Sequence, residues 1–135
     1  MSAQDPNSNN ISFGRIAATI SVTDMERAFQ FYSHVLGMKK VFENGSPVGF
    51  MILRKDAGEL HLTLSKNHIA TDRNVAHLMV NNATALYDHL EKSGVKIIKG
   101  LRDADYGIRG FVLADPDGNR IDVGQEIGLA PKKLD

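Results

Sequence analysis

The chain repeats itself. Val22-Thr23-Asp24 is matched by Val80-Asn81-Asn82, and Gly37-Met38-Lys39 by Gly94-Val95-Lys96, at a spacing of 57–58 residues. Around each pair the apolar pattern runs in the same order: one strand, one helix, three strands. A repeat of one short supersecondary unit constrains the fold more than any other feature, because neither copy can close a core alone. The copies must pair, within one chain or between two chains, and the sequence leaves both arrangements open. The apolar strand faces are expected to pack on the helices. The more polar faces are expected to curl around a shared cavity.

The elements follow from residue spacing. From Arg15 to Val22, Ile16, Ala18, Ile20 and Val22 alternate with Ala17, Thr19 and Ser21, the pattern of a half-buried strand. Asp24 is a good N-cap, since its carboxylate can accept a free N–H of the first turn. Met25, Ala28, Phe29, Tyr32, Val35 and Leu36 then recur at helical spacing. Gly37 ends that helix. Strands are predicted at Met38–Phe42, Gly49–Leu53 and Glu59–Ser65, with turns at Asn44-Gly45 and Ala57-Gly58. In the second copy, Asn74–Val80 is a strand and Asn81-Asn82 caps a helix over Ala83, Leu86, Tyr87 and Leu90, ended by Gly94. Val95–Ile98, Gly110–Ala114 and Arg120–Gly124 are its three remaining strands. Asp115-Pro116-Asp117-Gly118-Asn119 reads as a hairpin turn, with Pro116 presetting φ and Gly118 supplying a positive φ. Its turn chemistry accounts for its carboxylates without a catalytic role.

Composition narrows the function. The 135 residues hold 16 Lys+Arg against 16 Asp+Glu, five His and no Cys. No disulfide, thiolate metal site or cysteine nucleophile is available. A balanced charge lacks the long-range field of a nucleic-acid binder. Apolar runs are too short to span a membrane, and no signal-peptide pattern is visible at the start. The expectation is a soluble, cytoplasmic protein. Residues 1–10 and 128–135 are polar and read as tails. Residues 11–127 form one domain of two modules, at about 13–66 and 73–127.

The segment Ile20–Tyr32 (ISVTDMERAFQFY) with Leu36-Gly37-Met38 resembles the first module of the vicinal oxygen chelate superfamily. Phe111–Asp122 (FVLADPDGNRID) resembles its last hairpin. This is the superfamily of glyoxalase I, extradiol dioxygenases, fosfomycin-resistance enzymes and bleomycin-resistance proteins. The resemblance implies an α+β fold of paired βαβββ modules, forming a curled eight-stranded cavity. It also implies homodimers, sometimes with modules exchanged across the two-fold axis. The metal enzymes of the superfamily carry His, Glu, Asp or Gln ligands on the first and fourth strand of each module. Those positions fall here on Ala17, His61, Val75 and Asp122, so only two of the four can bind a metal. His77, two residues after Val75 and on the same strand face, offers a compensation. His61, His77 and Asp122 would form a two-His-one-carboxylate set suited to Fe, Mn, Ni, Zn or Co. Glu59, one step from His61, is a further candidate ligand and would move the proton in an enzyme.

Each residue also has a plainer reading. His61 can be a ligand, a general base or a hydrogen-bonding group of the cavity wall. Asp122 can bind a metal, pair with Arg120 or Arg109, or accept from a cationic ligand. His77 can be a satisfied histidine facing the cavity, and Glu59 a solvated strand end. Tyr106 and Arg109 precede the seventh strand, where the bleomycin-resistance branch carries pocket residues; the alternative is an exposed Arg–Asp pair. His34 and His89 read as surface residues, and His68 as part of a mobile connector.

Two functions follow. One is a binder that sequesters a small molecule in a dimer-interface cavity, without metal. The other is a divalent-metal-dependent lyase, isomerase or ring-cleaving dioxygenase built on His61, Asp122 and His77, with Glu59 moving a proton.

Overall fold

The computed structural model describes residues 10–128. Most of both expected tails, residues 1–9 and 129–135, lies outside the described residues. The first module contains β1 (Ala18–Val22), α1 (Met25–Gln30), β2 (Lys39–Asn44), β3 (Phe50–Lys55) and β4 (Gly58–Leu64). The second contains β5 (Asn74–Met79), α2 (Ala83–Lys92), β6 (Ile97–Asp103), β7 (Ile108–Ala114) and β8 (Arg120–Glu126). The fold is α+β, and the repeat read from the sequence is the repeat in space. The strands form two four-stranded sheets with equivalent orders, β1-β4-β3-β2 and β5-β8-β7-β6. In each, the first strand lies at one edge and pairs in parallel with the fourth, and the other pairings are antiparallel.

The predicted caps hold. Asp24 accepts from the Arg27 N–H and Asn82 from the Ala85 N–H, each at 3.0 Å. Gly37 and Gly94 close the helices at φ +75° and +77°, conformations that a Cβ would strain. The first helix departs from expectation in geometry. After Gln30 it widens into a π-helical turn at Phe31–Val35, and the Leu36 N–H reaches the Phe31 carbonyl at 3.3 Å. The wider turn accompanies the burial of two adjacent side chains, Phe31 and Tyr32, whose rings meet edge to face at 5.0 Å.

One core serves both modules. Ile20, Leu53, Leu62, Leu90, Leu113 and Val123 are all nearly or fully buried in it. The Asp115–Asn119 turn does more than its turn chemistry required. The Tyr32 hydroxyl donates to buried Asp115 at 2.8 Å, and Asn119 Nδ2 donates to the Ser21 carbonyl at 2.9 Å. Asp117 accepts from the N–H and hydroxyl of Thr23 and from Arg27. The turn thus ties the second module to the first. The connector read as mobile is anchored there too, through His68 Nε2 and Asn119 Oδ1 at 2.8 Å. His89 is exposed as expected, yet its Nε2 meets the Val35 carbonyl of the other module at 2.8 Å. These inter-module bonds come from strand ends, helices and the hairpin. The outer face of each sheet stays open, and Phe42, Val75 and Met79 are half-exposed there.

Candidate functional site

The open face of the second sheet is built in rows. Strand pairing places His77 opposite Asp122, Asp122 opposite Val112, and Val112 opposite Lys99. The next row runs Met79, Gly124, Gly110, Arg102. Lys99 and Arg102 are three residues apart, a spacing that puts side chains on opposite faces of a regular strand. A register shift between them restores both to this face, above Val112 and Gly110. The two glycines leave the middle of the face without side chains. A concavity of about 200 Å³ results, with His77, Asp122, Lys99, Arg102, Tyr106 and Ile108 among its lining residues. A Cβ on Gly124 would lie 3.1 Å from Ile108, 3.3 Å from His77 and 3.4 Å from Met79. On Gly110 it would overlap the Val123 carbonyl oxygen.

His77 Nδ1 and Asp122 Oδ2 are 2.8 Å apart. An ionised carboxylate only accepts, so Nδ1 carries the proton. The other ring nitrogen lies 2.9 Å from the Met79 sulfur. Tyr106 stands at the rim, 67% exposed. Arg109 makes a two-pronged pair with Asp103, at 2.7 and 3.1 Å. Hydrogen bonding to Arg109 lowers the Asp103 carboxyl below its ordinary range, and the same contact raises the guanidinium. The Arg–Asp alternative is therefore the arrangement present, and the guanidinium is occupied by its own chain.

The first sheet carries the equivalent face. Thr19, His61, Ile52 and Phe42 form one row, and Ser21, Thr63, Phe50 and Asn44 the next. The His61 ring meets Phe50 edge to face at 5.4 Å, and Phe50 meets Phe42 at 6.2 Å. Glu59 accepts from His61 Nε2 at 2.7 Å, from Arg54 at 2.7 Å and from Arg15 at 2.6 Å. Its carboxyl is lowered to about 2, chiefly by the His61 bond and then by Arg54 and Arg15. It stays ionised at neutral pH, an orienting partner for His61 and a poor proton acceptor.

The three residues grouped as a metal set are divided by the fold. His77 and Asp122 are neighbours, while His61 sits on the other sheet with Glu59. Among the described residues, no three His, Asp or Glu side chains converge where an ion could sit. Ala17 and Val75 add no donor, and both carboxylates near the histidines already accept from them. Among the described residues, the donors of one chain do not converge as a metal centre requires. The residues missed by sequence reasoning are Lys99 and Arg102, because the bulged strand hid their common face. The one signal available was Gly100 between them, which interrupts the strand pattern.

The sequence profile of the Glyoxalase/Bleomycin resistance protein/Dioxygenase superfamily matches residues 12–123. The chain belongs to this superfamily. Solved members have the same fold. A superfamily member from Sphaerobacter thermophilus is 27% identical with a TM-score of 0.70, over 82% of this chain and 94% of that one. The bleomycin resistance determinant encoded on transposon Tn5 is 19% identical with a TM-score of 0.73, over 84% and 98%. Lactoylglutathione lyase from Agrobacterium tumefaciens is 16% identical with a TM-score of 0.65, over 83% and 92%. The same fold therefore serves a resistance determinant and a lyase, so the residues of the cavity must decide the function.

Proposed function

We propose that this chain is a small-molecule-binding member of the superfamily, which holds its ligand without a metal in a cavity completed by a second copy. The observation that carries the reading is the pairing of every candidate acidic donor. Glu59 is held by His61, Arg54 and Arg15, and Asp122 by His77, while Ala17 and Val75 offer nothing to an ion. A second copy is favoured by the two open faces. Phe42, Val75 and Met79 are half-exposed apolar side chains on faces that the chain itself leaves uncovered. The aromatic group of the first-sheet face, Phe42, Phe50 and His61, and the cations of the second-sheet face suit opposite walls of one cavity. A cytoplasmic location fits the Cys-free sequence.

The test is a thermal-shift screen of small molecules on chelator-treated protein. Ligands that stabilise it in chelator, and lose their effect in Gly124→Ala or Phe50→Ala, support metal-free binding. Stabilisation that appears only with a divalent ion overturns it.

A second reading rests on one specific observation: each open face carries one histidine–carboxylate pair, Glu59–His61 and His77–Asp122. A two-fold dimer that apposed the two faces would gather both pairs in one cavity. A divalent ion held there would polarise a substrate carbonyl, the chemistry of a lyase, isomerase or dioxygenase. His61 would then turn its Nδ1, the nitrogen not engaged by Glu59, toward the ion.

A further inference from the structure

We infer that the second-sheet concavity selects a small organic anion with a flat apolar body. The inference rests on the small-molecule-binding reading and names the ligand class for the same site. Two positive side chains, Lys99 and Arg102, line the concavity against a single carboxylate, Asp122. That carboxylate also accepts from His77 at 2.8 Å, and the two cations outnumber it. Among the described residues, the ion pairs include neither Lys99 nor Arg102. The contrast with Arg109 is direct, because that guanidinium is neutralised by Asp103.

The two cations are placed by the fold. The register shift in β6 between Lys99 and Arg102 brings both side chains to the same face, one strand away from Val112 and Gly110. Gly110 and Gly124, side by side in the floor, clear the space that the cations border. A planar group can lie on this floor between Ile108 and the Tyr106 ring, with its anionic end toward Lys99 and Arg102. Ammonium and guanidinium groups give charge-assisted hydrogen bonds to a carboxylate or phosphate, and neither can accept one from a cationic ligand.

Three probes of one shape read the charge preference: benzoate, benzamide and benzamidinium. Each is titrated into the intact protein while the backbone amides of Gly110 and Gly124 are followed by NMR. Benzoate should shift both amides saturably, benzamide should bind about tenfold more weakly, and benzamidinium should leave them in place. Lys99→Gln with Arg102→Gln should bring benzoate down to the level of benzamide and leave benzamide unchanged. Equal or tighter binding of benzamidinium overturns the charge selectivity while leaving the binding site itself standing. Silence of both amides to all three probes overturns the site and the reading beneath it. Folding of the double variant is verified by its unperturbed amide spectrum; should it unfold, Lys99→Gln alone is read against the same series.

Discussion

His77 donates its Nδ1 proton to Asp122 straight across the parallel β5–β8 pair, at 2.8 Å. The pair is half-exposed, at 52% and 38% of the two side chains, so water screens it. Asp122→Asn should therefore change the urea unfolding free energy by under about 1 kcal/mol. The same change removes the one carboxylate that lines the concavity among the described residues and should tighten benzoate by about threefold, the effect of one charge about 6 Å away in a water-like dielectric. Weaker benzoate binding would show that Asp122 contributes to the ligand by more than its charge.

The Tyr32–Asp115 bond is of a different kind, because both partners are buried. Burial, reinforced by the Asp115 charge, raises the Tyr32 hydroxyl well above its ordinary range, so it stays a donor. Tyr32→Phe should cost about 1–3 kcal/mol in urea unfolding, the penalty for leaving a buried acceptor short of a partner. Asp115→Ala should cost more, since Asp115 also accepts from the Asp117 and Asn119 N–H groups at 2.9 Å. Equal or smaller loss in Asp115→Ala would separate the turn from the joining of the modules.

Glu59 makes acid stability depend on pH in a predictable direction. Its folded carboxyl titrates at about 2, below the ordinary 4.5 of an unfolded chain. A lowered carboxyl stabilises the folded state fully above the unfolded value and loses that stabilisation as pH falls through the folded one. The unfolding-midpoint difference between wild type and Glu59→Gln should therefore shrink as pH drops from 4.5 to 2. A difference that stays constant over that interval would contradict the hydrogen bonding to His61, Arg54 and Arg15.

Much of this was legible from residue order. The two modules, both helix caps and the polar face of β4 followed from alternation, from Asp24 and Asn82, and from Gly37 and Gly94. These are local signals, and local chemistry set them. What the sequence hid depends on contacts between distant residues. The β6 register shift between Lys99 and Arg102 puts them on one face against a period-two expectation. Tyr32 and Asp115 are 83 residues apart, and neither announces the other. The grouping of His61 with His77 and Asp122 draws on the faces of two sheets, and within one chain each sheet pairs its own histidine with its own carboxylate.

Gly124 tests the floor of the cavity. Gly124→Ala places a methyl about 3.1–3.4 Å from Ile108, His77 and Met79, three side-chain contacts that can yield by small shifts. The fold should survive with a loss of about 1 kcal/mol and benzoate binding should fall severalfold. Gly110→Ala meets the Val123 carbonyl instead, and backbone cannot yield so cheaply, so it should destabilise more, by about 2–3 kcal/mol. Urea unfolding of the two variants ranks them, and the reverse order would contradict the packing of this face.

The central claim is that the cavity works without a metal, and metal content tests it most directly. Protein purified without chelator and analysed by inductively coupled plasma mass spectrometry should hold less than about 0.1 ion of Fe, Mn, Ni, Zn or Co per chain, with no rise in Tm when any of them is added. Near-stoichiometric metal that is lost in His61→Ala and again in Asp122→Ala would contradict the account and establish the enzyme reading in its place.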